Sequence, residues 1–330
     1  MLQKNILVTG GAGFIGSTFV AQSIERGQNV VVLDALTYAG SRANLDWIKS
    51  DNCKLVVGDI ADAELVKSLL NQHRIEAIVH FAAESHVDNS ISGPSAFIQT
   101  NIVGTYALLE AARQYYGSLS DKENFRFLHV STDEVYGTLG ETGKFNENTP
   151  MKPNSPYSAS KAASDHLVRA WFETYKLPTI ITNCSNNYGP RQHPEKLIPL
   201  MITNALDGKK LPVYGDGKNI RDWIHVEDHS NGVALAISNG KIGETYCFGG
   251  NAERHNLQVV QAICNILSEL TGKQDYEKQI EFVTDRLGHD RRYAIDDDKA
   301  VKELGFKRKY DFESGIKETV KWYIENRNWR

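Results

Sequence analysis

Two side chains four residues apart, Tyr157 and Lys161, and two adjacent carboxyl groups, Asp133 and Glu134, are the parts of this chain best suited to moving protons. A spacing of four on a helix puts Tyr157 and Lys161 on one face, one turn apart. An ammonium beside a phenol favours the phenolate and draws the tyrosine towards the working range of a general base. The helix is announced by Ser155, a good N-cap, and by Pro156 at the first helical position. Asp133 and Glu134 follow an apolar run, Phe127 to Val130, that reads as a buried strand. Open α/β sheets hold their ligands at such strand ends. Adjacent side chains point in different directions, so the two carboxyl groups can act on two atoms of one substrate. Taken singly, a Tyr-x-x-x-Lys spacing is common by chance and Asp-Glu after a strand is usually a solvated turn. Together, downstream of a glycine loop, they make chance the poorer explanation.

The elements that must position these groups begin with Asn5 to Thr9, a buried-strand pattern running into Gly10-Gly11-Ala12-Gly13-Phe14-Ile15-Gly16. Two glycine frames overlap there, one starting at Gly10 and one at Gly11, both sharing Gly13 and Gly16. Either lets backbone amides approach a diphosphate and aims a helix N-terminus at it. A helix pattern from Ser17 to Arg26 and a strand from Asn29 to Leu33 follow, the latter ending in Asp34. An acidic residue there accepts hydrogen bonds from an adenosine ribose and repels a 2′-phosphate, which favours NAD over NADP. Further units follow: a strand at Lys54 to Val57, a helix at Asp62 to Gln72 and a strand at Glu76 to Phe81. Asp59 is placed to meet an adenine edge, and the small residues Ala82 and Ala83 let a cofactor lie close to the backbone. A long helix is expected over Ser95 to Tyr115, with Asn101 in its middle as a packing hydrogen bond, and Pro178 to Cys184 reads as a sixth strand. Repeated strand–helix units imply an α/β fold built on a doubly wound parallel sheet of the Rossmann type.

Beyond Cys184 the pattern loosens. Helices are expected at Glu195 to Leu206, Glu227 to Ser238, Leu257 to Leu270 and Phe312 to Asn326, with short strands at Leu211 to Tyr214, Glu244 to Phe248 and Ile280 to Thr284. Cations gather on the loops between them, namely Arg191, Lys196, Arg221, Arg286, Arg291 and Arg292, with His225 and His289. A chain of net charge −4 that spends cations this way has the means to hold a diphosphate, although an ordinary solvated surface accounts equally well for any one of them. The expected division is an NAD-binding domain over 1–184, with 220–250 returning to it, and a smaller α/β substrate domain on the C-terminal side over 185–219 and 251–330.

Composition narrows the class. The chain has 330 residues, 41% hydrophobic and 24% charged, ordinary for a globular protein with one large or two modest domains. The slight negative charge argues against nucleic acid or an anionic membrane. Cys53, Cys184, Cys247 and Cys264 are scattered, with no C-x-x-C pair, which argues against a metal site and fits a reducing, cytoplasmic compartment. No secretory leader or membrane-spanning run is visible.

With these residues in view, the chain resembles the extended short-chain dehydrogenase/reductase family through Gly10-x-x-Gly13-x-x-Gly16, Asp34 and Tyr157-x-x-x-Lys161. Within it, the chain is similar over essentially its whole length to the dTDP-glucose 4,6-dehydratases. The runs carrying this closer likeness are Ala82 to Asp88, Ser131 to Gly137, Cys184 to Pro190, Pro194 to Leu200, Arg221-Asp222-Trp223 and Asp285 to Tyr293. The Thr132-Asp133-Glu134 triplet matters most, because sugar-nucleotide epimerases of the same fold lack that acid/base pair. The resemblance implies NAD as cofactor and dTDP-glucose as substrate. It implies catalytic roles for Thr132, Asp133, Glu134, Tyr157 and Lys161, with oxidation at carbon 4, elimination across carbons 5 and 6, and hydride return to carbon 6. The implied cofactor contacts are Gly10, Gly13, Phe14, Ile15, Gly16, Asp34, Asp59, Ile60, Ala82, Ala83, Ser85, Thr100, Tyr157 and Lys161. Ser85, Thr132, Asn186, Lys196, Leu197, Pro212, Tyr214, Arg221, Asn256, Arg286, His289 and Tyr293 would hold the substrate. The helices around 95–115 and 156–175 are a plausible pair for a homodimer interface. Asn183, where many relatives of the wider family carry Arg, and Cys247, where Asn is expected, depart from the pattern. The rival readings are another NAD-dependent sugar-nucleotide dehydratase or 4-epimerase, including a GDP-mannose dehydratase, and a non-catalytic NAD-binding sensor. Asp34 disfavours an NADP-using dehydratase, Asp133-Glu134 disfavours the epimerase, and retention of all four proton-moving groups disfavours the sensor.

Overall fold

The computed structural model describes residues 4–329. Its frame is a seven-stranded sheet in the order β10-β6-β5-β4-β1-β2-β3. The strands are β1 (Asn5–Thr9), β2 (Asn29–Asp34), β3 (Cys53–Val57), β4 (Ala77–His80), β5 (Arg126–Thr132), β6 (Thr179–Cys184) and β10 (Thr245–Phe248). Every neighbouring pair is parallel. Parallel strands covered on both faces read as continuous apolar runs, which is why β1, β2 and β4 stood out. Successive residues face opposite ways. Ile6 and Val8 join one core with α1 (Phe14–Glu25), α8 (Val226–Asn239) and α10 (Asp298–Leu304), while Leu7 joins another on the opposite face. That second core holds α2 (Ala63–Gln72), α5 (Thr105–Ser118) and α6 (Pro156–Tyr175).

Strand order reverses between β1 and β4, and the loops after these strands diverge into a cleft. The glycine loop forms one wall. Gly10 has φ +69°, and a Cβ on Gly16 would lie 2.3 Å from the Gly10 carbonyl oxygen. The α1 helix begins at Phe14, three residues before the expected start, with Gly13 as N-cap and no side chain capping it. The expected Ser95–Tyr115 helix is instead interrupted. A short turn, α4 (Ser95–Phe97), passes into a π-helical segment over Ile98–Gly104 before α5. Asn101 supplies the reason. Its amide accepts from Glu84 N at 2.9 Å and donates to Glu84 O at 3.0 Å and Ser160 Oγ at 2.8 Å, so the helix widens around a buried polar anchor.

After β6 the chain builds a second layer. β7 (Asn186–Tyr188), β9 (Ile220–His225) and β11 (Glu253–His255) form a three-stranded sheet, and β8 (Leu211–Tyr214) pairs with β12 (Ile280–Val283). A third core joins them to α7 (Leu197–Leu206), α9 (Asn256–Thr271) and α11 (Phe312–Glu325). The remaining short helix, α3 (Val87–Ser92), follows the loop after β4. Gly16→Ala is expected to destabilise the fold by about 1–3 kcal/mol, because the new methyl meets backbone that cannot move aside. Equilibrium urea unfolding reads this directly, and an unchanged midpoint would show that the loop can shift.

Candidate active site

The end of β5 turns the chain by a hydrogen bond of its own. Thr132 Oγ1 accepts from Glu134 N at 3.2 Å and caps a 3-10 turn over Asp133–Tyr136. Thr132 also donates to Asp133 Oδ1 at 3.4 Å. The turn sends the two carboxyl groups to different places. Asp133 is buried, and its Oδ2 has no hydrogen-bond partner. Glu134 lines the cleft. Burial pushes Asp133 well above the ordinary carboxylate range, and the charges of Glu134 and Asp222 push it further, against Arg221 and the Thr132 hydrogen bond. Burial also raises Glu134, but Arg286, Arg221 and Lys196 pull it back. The pair is therefore biased towards one neutral acid and one anion.

Across the cleft, α6 begins with a capping box between Ser155 and Ser158 and with Pro156 at its first turn. This start sets the phase that brings Tyr157 and Lys161 to the cleft wall, with the Tyr157 ring edge-on to Phe97 at 6.2 Å. Lys161 Nζ donates to Val130 O at 2.9 Å. The expected depression of the Tyr157 phenol by Lys161 is not what the protein alone produces. Burial drives Tyr157 well above its usual value, the negative charge of Glu134 adds to this, and a hydrogen bond with Thr132 opposes it. Spacing placed the two groups together, but desolvation outweighs the neighbouring charge.

The cleft encloses about 330 Å³ and is lined by the glycine loop from Gly10 to Gly16 without Gly11 and Ala12, and by Asp34, Asp59, Ile60, Ala82, Ala83, Ser85 and Thr100. Thr132, Asn186 and Lys196 line it too, so each expected cofactor contact and part of the substrate set share one wall system. Asp34 braces the loop, with Oδ2 accepting from Ala12 N at 2.9 Å and Oδ1 from Leu36 N at 2.8 Å. These features fit a dinucleotide: a glycine cradle that a Cβ would fill, a helix N-terminus without a side-chain cap, and a carboxylate at the end of β2. Among the described residues no group of His, Cys, Asp and Glu could hold a metal, and no helix is long and apolar enough to cross a membrane.

Leu197, Pro212, Tyr214, Arg221, Asn256, Arg286, His289 and Tyr293 lie outside this lining, as does Asp133. Leu197 opens α7 and Asn256 opens α9, whose Oδ1 is buried without a partner. Pro212 and Tyr214 lie on β8. Tyr214 donates to Asp88 Oδ2 at 3.3 Å, and Arg286 stands 3.5 Å from Asp88 Oδ1. His289 Nδ1 contacts Asp285 Oδ1 at 2.6 Å. The buried Arg221 lies 4.2 Å over the Tyr293 ring and donates to Asp290 O at 2.9 Å. Lys196 donates to Ser85 O at 2.8 Å. Arg221, which lies on β9 and not on a loop as expected, bears on Glu134 with Arg286 and Lys196, so these cations converge on the Glu134 end of the cleft. Sequence reasoning missed Thr37, Gly40, Glu84, Gln192, His193 and Glu195 in the lining. Gln192 and His193 precede the Pro194–Leu200 run and Glu195 lies within it, so all three were within reach, whereas the loop after Asp34 carries no motif. Asn183 donates to Thr132 O at 3.1 Å and Asp165 Oδ2 at 3.2 Å, and Cys247 Sγ lies 3.7 Å from Tyr136 OH.

Comparison with known proteins agrees with this geometry. The family model described as GDP-mannose 4,6 dehydratase matches residues 7–319. A dTDP-glucose 4,6-dehydratase of Xanthomonas campestris is 60% identical, over 98% of this chain and 94% of that one. One from Escherichia coli is 56% identical over the same shares. A solved dTDP-glucose 4,6-dehydratase from Bacillus anthracis in complex with NAD superimposes with TM-score 0.89 at 48% identity, over 99% of this chain and 98% of that one. Another, from Streptomyces venezuelae with NAD and dTDP bound, gives 0.90 at 48% identity, covering 98% of each. A UDP-glucose 4-epimerase from Thermotoga maritima has the same fold at 30% identity, TM-score 0.87, over 98% of this chain and 100% of that one. With a near full-length match to the dehydratases and an acid/base pair placed at the end of β5, the chain belongs to the dTDP-glucose 4,6-dehydratase family.

Proposed function

We propose that the protein converts dTDP-glucose to dTDP-4-keto-6-deoxyglucose and water with Tyr157, Glu134 and Asp133 as its three proton-transfer groups. The observation that carries this reading is the unequal surroundings of the two adjacent carboxyl groups: Asp133 is buried beside two carboxylates, and Glu134 lines the cleft among three cations. When bound, NAD supplies the hydride acceptor for carbon 4, the hydride returned to carbon 6, and a positive ring near the phenol. Tyr157 takes the 4-hydroxyl proton, and Thr132 hydrogen-bonds the same oxygen. A ketone at carbon 4 acidifies the hydrogen on carbon 5, which Glu134 removes as the ionised member of the pair. Asp133, held neutral by its burial, gives its proton to the departing 6-hydroxyl. Lys161 brings positive charge one helical turn from Tyr157, and the Thr132 hydrogen bond counters the burial that holds the phenol protonated. Arg221, Arg286 and Lys196 balance the diphosphate and favour the ionised form of Glu134 against its burial.

The same reading includes a division in which 220–250 returns to the cofactor-binding half; α8 in the first core and β10 pairing with β6 support this, whereas β9 at its start pairs with β7 and β11 in the second layer. It includes a cytoplasmic location, supported by four free cysteines. It also includes a homodimer. Ile98, Val103 and Tyr106 are 43%, 42% and 48% exposed on the helical run through 95–118, and Tyr175 is 48% exposed at the end of α6. Sedimentation at micromolar concentration is expected to give a dimer, and Tyr106→Glu a monomer. A monomeric native protein would remove the dimer from the account.

Incubation with dTDP-glucose in deuterated water separates the two carboxyl groups. The native protein is expected to form the 4-keto-6-deoxy product with solvent deuterium incorporated. Glu134→Gln is expected to lose on the order of 100- to 10,000-fold in product formation, with no deuterium at carbon 5 of recovered substrate. Asp133→Asn is expected to lose as much product yet keep exchange at carbon 5, because its base remains. Full dehydration by Glu134→Gln with deuterium incorporated would assign the base elsewhere.

A further inference from the structure

Around Lys161, β5, β6 and α6 enclose a polar cluster that the reaction described above does not use, and of its members Ser131 also lines the cleft. His129, Asp165, Ser131, Asn183 and Ser164 are all buried there. Asp165 Oδ2 accepts from Ser131 Oγ at 2.9 Å and from Asn183 Nδ2 at 3.2 Å. Its Oδ1 lies 3.2 Å from His129 Nε2. The contact leaves Oδ1 without a hydrogen-bond partner, so it is one of charge and proximity. Ser164 Oγ lies 3.2 Å and Lys161 Nζ 3.4 Å from the same nitrogen. The Lys161 ammonium and the Asp165 carboxylate thus face one imidazole edge from successive turns of α6.

The neighbours of Lys161 come from four directions, and their charges decide what it can do. His129 on β5 and His80 on β4 are held neutral, both driven well below their usual range by burial and by Lys161 itself. The Cys184 thiol on β6 and the Tyr157 phenol are both raised, so neither carries charge near neutrality. Asp165 remains as the anion of this set. A buried ammonium without an anion gives up its proton. Burial lowers Lys161 to about 8, while Asp165 is the first influence pulling it back up. Asp165 is itself raised to about 6 by burial, held down by Lys161, Ser131 and Asn183, and is therefore ionised near neutrality.

We propose that Asp165 is a positioning residue for proton transfer at carbon 4: held by Ser131 and Asn183 against His129, its carboxylate keeps the Lys161 ammonium charged one helical turn from Tyr157. The proposal rests on the roles given above to Tyr157 and Lys161. It adds a residue that touches neither substrate nor cofactor and whose loss acts through Lys161. Since Lys161 must be protonated, activity is lost as pH rises through its pKa. Removing the anion lowers that pKa and moves the loss to lower pH.

The test is turnover of dTDP-glucose against pH for the NAD-loaded full chain, with the Michaelis constant measured at each pH. Asp165→Asn is expected to move the alkaline limb of kcat down by about 1–3 pH units, with activity recovered as the pH is lowered again. The Michaelis constant should change by less than about two-fold, because no substrate contact is lost. In a Lys161→Met background, Asp165→Asn should move no limb. A loss that is uniform across pH, or an unmoved limb, would reduce Asp165 to a structural role and overturn the proposal. The same shift appearing in the Lys161→Met background would overturn it too, by showing that another group titrates. If Lys161→Met alone kept full turnover, the failure would lie in the assignment of the catalytic pair instead, and the proposal would go with it. Asp165→Ser also removes the negative charge and serves where Asp165→Asn does not fold. It should move the limb the same way, and no movement there would equally overturn the proposal.

Discussion

Two carboxyl groups on adjacent residues at the end of one buried strand cannot both be ionised cheaply, and the site is organised around that constraint. Thr132 caps the turn so that Asp133 is directed into the protein and Glu134 into the cleft. Burial raises both, and their charged neighbours separate them. Two carboxylates raise Asp133 further, while three cations brought by the second layer pull Glu134 back, as the proposed division into acid and base requires. Elimination needs one group in each state at the same moment. A solvated Asp-Glu turn of the same sequence would leave both charged and supply no acid.

The fold serves this division of labour by keeping its two halves chemically distinct. The parallel sheet, with its reversal between β1 and β4, furnishes a glycine-lined slot and a rigid platform for Tyr157 and Lys161. The layer after β6 contributes no proton-transfer group. It contributes charge, through Lys196 ahead of α7, Arg221 on β9 and Arg286 after β12. Asn101 links the halves of the platform, since its side chain ties the loop after β4 to Ser160 on α6. The π-helical segment is the local distortion that lets it reach.

Where the chain's signals are local, its sequence was legible. The glycine loop, Asp34 and the Ser155-Pro156 helix start depend on neighbours within a few residues, and each stands at its expected place. The central strands of the main sheet, β1, β2 and β4, were visible because burial on both faces makes them largely apolar. β9 was not, because Arg221 and Asp222 interrupt its apolar pattern, and both are buried only through contacts with distant segments. The π-helical segment was hidden for a similar reason, its cause being a bond from Asn101 to a loop seventeen residues away. Tyr157 carries the sharpest lesson. Helical spacing showed that Lys161 would be near, yet the depth at which both lie decides the direction of the shift, and depth is a property of the whole fold.

The central claim is that Asp133 is protonated while Glu134 is ionised, and isotope-edited infrared spectroscopy of the resting protein reads this without turnover. Labelled aspartate and glutamate carboxyl groups are distinguished by their carbonyl stretches. At neutral pH the native protein should show a protonated aspartate band that vanishes in Asp133→Asn. The band should survive in Glu134→Gln, because burial is the first cause of the Asp133 shift and the Glu134 charge only the second. Absence of that band, or a protonated band belonging to Glu134, would contradict the account.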